Sequence, residues 1–238
     1  MRKFRLRQLL MLWSQISMTE PKIAALDAAK IWQLFNLGGT VLVSTEHDGK
    51  TDMMPASWAS PLDYDKVMVV VDKSHYTRKL MDQSEYFALG VASAGILPEL
   101  LSLGSVSKNA DPEKLEKSGM ALFTQPGFKI PLARGCSAWA IFKKLPETEE
   151  LSKKYDLFLG QAVAAWGDER VYQNGRPDFE HAPKEMRTTH YVSGGRFFLL
   201  GEAVDVEPTA QQPFGTAILF LKNRKDGASP SFFMVDSP

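Results

Sequence analysis

A mainly β fold, a β-barrel with peripheral helices, is what this 238-residue sequence predicts. Its apolar residues gather in short β-branched or continuous runs, the pattern of strands more than of long helices. Two of those runs flank Asp48-Gly49, a strong hairpin signal. Before residue 208 no internal repeat, low-complexity tract or interdomain linker breaks the series, so a single domain over residues 19–207 is expected.

Taken in order, Pro21 to Asn36 carries apolar residues at Ile23, Leu26, Ile31, Leu34 and Phe35, close to helical spacing. Thr19 is placed to cap that helix and Gly38-Gly39 to end it. The β-branched run Thr40 to Thr45 predicts a strand, and Thr51 to Ser60 its hairpin partner. After a turn at Asp63 to Lys66, the continuous apolar run Val67 to Val71 predicts a strand buried on both faces. Thr77 to Ser84 reads as a short helix and Tyr86 to Ala92 as a core strand. Short helices over Pro98 to Leu103 and Pro112 to Lys117 bracket a polar loop, Gly104 to Asp111. Strands follow at Ser137 to Phe142, Phe158 to Trp166 and Arg196 to Val206. The Lys/Glu-rich stretch around Glu149-Glu150 reads as a solvated face.

Hydrophobic residues at 44% and charged residues at 24% exclude a disordered chain, a collagen-like repeat and a disulfide scaffold. Lys and Arg number 28 against 28 Asp and Glu, so no basic excess points to nucleic acid. The single cysteine, Cys136, has no intramolecular partner, and a reducing, cytoplasmic setting is expected. Next to Trp139 and Ile141 it reads as core more than as nucleophile. At the N-terminus, Arg2, Lys3, Arg5 and Arg7 precede an apolar run of only Leu9 to Trp13. That run is shorter than the ~7–15 residues of a signal peptide core and far below the ~20 that cross a bilayer. Residues 1–18 are therefore expected to be an extension outside the fold, with no membrane association, although a basic amphipathic surface helix is the other reading. Residues 208–238 form a tail that reads either as an edge strand or as a loose end.

Several chemistries find no motif. There is no GxxxxGK[ST] loop, no GxGxxG after the first strand and no GxSxG elbow. The four histidines, His47, His75, His181 and His190, are scattered without an HExxH pair, so no metal site is expected. Three polar segments carry what signal there is. On Met53 to Pro61 the small residues Ala56, Ser57 and Ala59 let a flat ligand approach the backbone, or mark an ordinary strand with a proline exit. Asp72 to Lys79 follows a strand and opens a helix with Ser74, His75, Thr77, Arg78 and Lys79. That segment is either an anion site on a helix N-terminus or a solvent-facing helix start. Gly104 to Asp111, with Ser105 and Ser107, either wraps the polar tail of a ligand or simply connects two helices.

In this order and spacing, the segments resemble the flavin reductase-like family, whose fold is the FMN-binding split β-barrel. The match runs from about Gly39 to about Val206. It comprises the strand VLVST, the Asp-Gly hairpin, the motif PASWASP, and the series Ser74, Thr77, Met81, Ser84 and Phe87. A small-residue loop with the downstream pair Asp111 and Lys114, and the closing HYVSGGRFFLLGEAVDV, complete it.

The resemblance implies FMN, less often FAD, held in a groove at a homodimer interface. It places Ala56, Ser57 and Trp58 along the isoalloxazine. Ser74, His75, Thr77, Arg78 and Lys79 would surround the phosphate, with Ser105 and Ser107 flanking it. NAD(P)H would be the electron donor, and His190, with Tyr191 beside it, either contacts the nicotinamide or is structural. Trp139, Phe142, Phe158 and Trp166 are the large apolar residues expected near the dimer interface. The implied activity is an NAD(P)H-dependent flavin oxidoreductase delivering electrons to a small acceptor or free flavin. Two alternatives stand beside it: a flavoredoxin-like carrier fed by a redox partner protein, and a split-barrel module without flavin.

Overall fold

The computed structural model describes residues 23–35, 39–173 and 175–204. Its strands are β1 (Ile23–Leu26), β2 (Val41–His47), β3 (Lys50–Ala56), β4 (Ala59–Asp63), β5 (Lys66–Val70), β6 (Tyr86–Val91), β7 (Leu122–Phe123), β8 (Leu132–Ala133), β9 (Ala138–Lys144), β10 (Leu157–Asp168), β11 (Tyr172–Gln173), β12 (Arg176–Pro177), β13 (Thr189–Ser193) and β14 (Arg196–Leu199). Five α-helices join them: α1 (Trp32–Phe35), α2 (Tyr76–Gln83), α3 (Leu97–Ser105), α4 (Lys114–Lys117) and α5 (Thr148–Tyr155).

Eight strands make one antiparallel sheet in the order β3-β2-β6-β9-β10-β5-β4, with β1 added along β10. Only Ser57 and Trp58 separate β3 from β4, yet those strands are its opposite ends. So short a link brings the two edges together, and the sheet curls into a half-barrel, the split-barrel form of the fold. Asp48 and Gly49 both take positive φ, 50° and 75°. That is the type I′ geometry Asp-Gly favours, and it fixes the β2–β3 register at His47 opposite Lys50.

The sheet is covered on both faces. One cluster gathers Val41, Val43, Val67, Val69, Phe87, Leu89, Ala140, Phe142 and Phe158. The other packs Leu42, Met53, Ala88, Leu100, Leu103, Trp139 and Ile141 beneath α3. Cys136 belongs to this second cluster, and burial pushes its thiol pKa up, so it is an inert core side chain.

Five expectations need correction. The helix over Pro21 to Asn36 is not formed: Ile23–Leu26 is a strand, Asp27 caps a 3₁₀ turn at Ala28–Lys30, and only Trp32–Phe35 is α-helical. β10 supplies the reason, because β5 pairs only its first five residues and β1 fills the otherwise open edge at Ala165 to Asp168. Pairing in the fold overrides helical periodicity there. Thr51 to Ser60 is broken at Ser57 and Trp58 into β3 and β4. The last strand begins at Arg196 but ends at Leu199 and does not run on through Val204, and it pairs with β13 in a hairpin whose turn, Gly194-Gly195, has φ of 56° and 76°. Trp139, Phe142 and Phe158 lie in the core of the single chain at 0–1% exposure, so they are not interface residues. The run Val67 to Val71 is not buried throughout, since Met68 and Val70 are half-buried. The stretch around Glu149-Glu150 forms α5, with Glu149 and Lys153 paired on its exposed side. The proposed extension 1–18 and tail 208–238 lie outside the described residues. Among the described residues, no helix is long and apolar enough to cross a membrane.

Candidate functional site

A groove of about 480 Å³ opens where the two sheet edges meet. Its floor is the end of β3 and the link to β4, Met54 to Trp58. One wall comes from α3 and the loop Gly104 to Ser107; Asp72 and His75 stand before α2. Tyr191 and Phe197, from the β13–β14 hairpin, close the side, their ring centroids 5.0 Å apart.

Local chemistry sets each piece. Gly104 is required by close approach: a Cβ there would lie 2.8 Å from Pro55 Cγ, so any other residue would push α3 off β3. Lys108 Nζ donates to the Thr51 carbonyl at 2.9 Å, pinning the polar loop to β3. Asn109 ties the same loop to α2, donating through Nδ2 to the Ser74 carbonyl and accepting from Lys79 Nζ at 2.7 Å. The hairpin is fastened by Thr40, whose N–H donates to the Thr189 carbonyl and whose hydroxyl oxygen accepts from Tyr191 N–H at 3.1 Å. The three polar segments singled out in the sequence therefore converge on one groove.

Of the residues named there, Ala56, Ser57, Trp58, His75, Ser105 and Ser107 line it. Trp58 is 73% exposed at the mouth. Ser74 turns its backbone inward, donating N–H to Asp72 Oδ1 at 2.8 Å; hydrogen bonds from Ser74 hold the Asp72 carboxyl below its usual range. Lys79 is exposed outside the groove and donates one of its three N–H groups to Asn109. Thr77 is buried, its hydroxyl donating to Asp52 Oδ2 at 2.7 Å.

Arg78 is the clearest departure. Its guanidinium is buried and donates to Asp82, Asp156 and the carbonyls of Val71 and Ser152, leaving it no part in the groove. Those acceptors lie at the end of β5, at the end of α5 and on α2 itself, and together they hold the whole guanidinium fork in the protein interior. His190 also fails to reach the groove, because strand alternation sends it and Tyr191 to opposite faces of β13.

Several lining residues were missed, and two of them bear on the charge and closure of the groove. Lys114, on α4, is only 4% exposed and presents its ammonium beside Asp52, 3.4 Å from Oδ1. Burial lowers its pKa from the ordinary lysine value, against the pull of Asp52. Its signal was the spacing of Asp111 and Lys114 in the family pattern. Phe197 was read as part of one long strand, and nothing local marked the hairpin that aims it.

Residues 36–193 match the flavin reductase like domain, and the chain belongs to that family. An uncharacterized protein of Escherichia coli (strain K12), YddH, is 31% identical over 177 residues, 72% of this chain and 92% of that one. Among solved structures, an FMN-binding domain of a flavin reductases-like enzyme from Shewanella baltica OS155 is 37% identical. It superposes with a TM-score of 0.77, covering 79% of this chain and all of that one. Flavoredoxin from Methanosarcina acetivorans shares the fold at 20% identity and a TM-score of 0.56, over 76% of this chain and 91% of its own.

Proposed function

We propose that this protein binds FMN in the groove and passes electrons from NAD(P)H to a small acceptor or to free flavin. The observation that carries this reading is the pairing, in one groove, of a small-residue floor with a polar, cationic end. Ala56 and Ser57 leave room for a flat ring to lie against backbone, and Trp58 borders it. Ser107 and His75 offer donors for a phosphate next to the start of α2, which no side chain caps, while the Ser105 hydroxyl donates to the Leu101 carbonyl at 2.6 Å. Bound FMN would supply the hydride chemistry; the protein's part is position and field. No acid–base dyad is needed, which agrees with His190 facing away from the groove. Excluding water falls to Tyr191 and Phe197 on the hairpin.

Protein supplied with FMN is expected to oxidise NADH or NADPH steadily in air. A flavin that dithionite reduces, with neither nicotinamide oxidised, would instead favour the carrier function. The reading includes a homodimer, because large apolar side chains stand uncovered at the groove mouth and on the hairpin: Trp58, Tyr191, Val192, Phe198 and Leu199. The same sample should sediment at about twice the 26.5 kDa chain mass. A cytoplasmic setting fits a chain whose one cysteine is a buried free thiol.

A further inference from the structure

The groove has two unlike ends. Asp52 pairs with Thr45 and Ala56 with Val41 along the β2–β3 hairpin, so the two positions stand about 13 Å apart on β3. Both basic side chains that line the groove lie at the Asp52 end: Lys114 beside Asp52, and His75 just before Thr77, whose hydroxyl bonds Asp52. At the Ala56 end the walls are uncharged. Thr40, next to Val41, accepts the Tyr191 N–H at 3.1 Å and so seats Tyr191 there. Phe197 pairs with Tyr191 across the β13–β14 hairpin, and the two rings stand 5.0 Å apart at an angle of 50°. Leu100 and Leu101 of α3 complete this end, and a Cβ at Gly195, on the hairpin tip, would lie 3.4 Å from Leu101 Cδ2. Arg196 brings no charge to it, because its guanidinium lies 5.9 Å from the Phe198 ring, on the hairpin face turned from Phe197.

We infer that this uncharged, aromatic-walled end receives the electron acceptor, that the acceptor it selects is a flat, uncharged quinone, and that Tyr191 and Phe197 are specificity-determining residues. The inference rests on the flavin reading above and narrows it. An acceptor takes hydride only when it lies on the flavin ring, whose place is the small-residue floor at Ala56 and Ser57. An acceptor lying there meets the Tyr191 and Phe197 rings, which favour a flat aromatic partner. Free FMN would bring a second phosphate to an end that holds no cation, and burying an unpaired charge is strongly disfavoured. A quinone brings no charge. It gains hydride from N5 of anionic reduced FMN, whose N5–H bond breaks as an O–H bond forms. A proton from water completes the hydroquinone, FMN is left oxidised, and NAD(P)H restores the reduced form.

Menadione and a naphthoquinone sulfonate, similar flat rings of which one is neutral and one anionic, are the probes. Equilibrium dialysis against the full chain, loaded with oxidised FMN, measures their binding without turnover. Menadione should bind at least about tenfold more tightly than the sulfonate. That comparison needs no variant. Phe197→Leu and Tyr191→Leu keep apolar bulk but remove a ring, and each should weaken menadione binding about 2- to 10-fold. The flavin spectrum of each loaded variant is recorded first, so that a misfolded one is recognised. In turnover, kcat/KM for menadione should fall in both variants relative to that for ferricyanide, which takes single electrons without stacking. A sulfonate bound as tightly as menadione, FMN-loaded protein that binds no menadione, or equal losses with menadione and ferricyanide would overturn the inference and leave the flavin reading standing. Wild-type protein that takes up no FMN would overturn both.

Discussion

Arg78→Met is expected to lower the unfolding free energy by about 3 kcal/mol, the low end of the range for breaking a buried charge network. Arg78 joins three parts of the molecule. From α2 it donates through Nη1 to the Val71 carbonyl at 2.9 Å, where β5 ends, and to Asp156 at 2.6 Å. Through Nη2 it bonds the Ser152 carbonyl near the C-terminus of α5, at 2.8 Å, and Nε reaches Asp82 on its own helix. The guanidinium also lies 4.9 Å from the centroid of the Phe158 ring. Methionine fills a similar volume but leaves the Val71 carbonyl without this donor, and an orphaned buried acceptor costs roughly 1–3 kcal/mol, whereas the Ser152 carbonyl keeps the Asp156 N–H. Asp82 is 47% exposed at its side chain and regains water, which holds the loss to the lower end. Urea unfolding measures it. Arg78→Lys should recover only part, since one ammonium cannot span the same fork. An unfolding midpoint within error of wild type would show that the network is dispensable.

Trp139→Ala should cost about 3–5 kcal/mol through the cavity it leaves. Trp139 is wholly buried on β9, between β6 and β10. Its indole N–H donates to the Ala133 carbonyl at 2.8 Å, and the Phe123 ring meets it edge-on at 5.4 Å between centroids. Removing it therefore empties a site flanked on both sides by paired strands, which have little freedom to collapse, and strips a carbonyl of its donor. Trp139→Phe keeps most of the volume and loses mainly the hydrogen bond, so a drop of about 1 kcal/mol is expected there. Thermal and urea denaturation of the pair separate the two contributions. Equal losses for Ala and Phe would mean that the hydrogen bond, not the packing, dominates.

These two residues also show what the sequence makes legible. Periodicity marked the β-rich character and the Asp48-Gly49 hairpin, because backbone preference and tertiary pairing agree there. It could not tell the core from an interface, so Trp139, a large apolar residue, was placed at the wrong boundary. Arg78 shows a second gap: composition reveals that cations gather at a helix start, but not which way each one points. Burial of one cation under α5 depends on residues almost eighty positions away. β1 was misread for a similar reason, since the open edge of β10 that recruits it is a property of the whole sheet. Ala56, Ser57, Trp58, His75, Ser105 and Ser107 were legible because they sit where a strand or helix ends, and such positions face one another across a curled sheet. Val70 carried a signal that went unread. An apolar side chain left half-buried in a core strand marks a groove rather than a fully packed face.

The central claim is that the groove between Ala56 and Lys114 is a flavin site. An absorbance scan of the purified protein, with mass spectrometry of whatever ligand it releases on denaturation, tests that claim most directly. The expected result is the two-banded visible and near-ultraviolet flavin spectrum, together with a released molecule of the mass of FMN. A colourless protein that also fails to take up added FMN would contradict it.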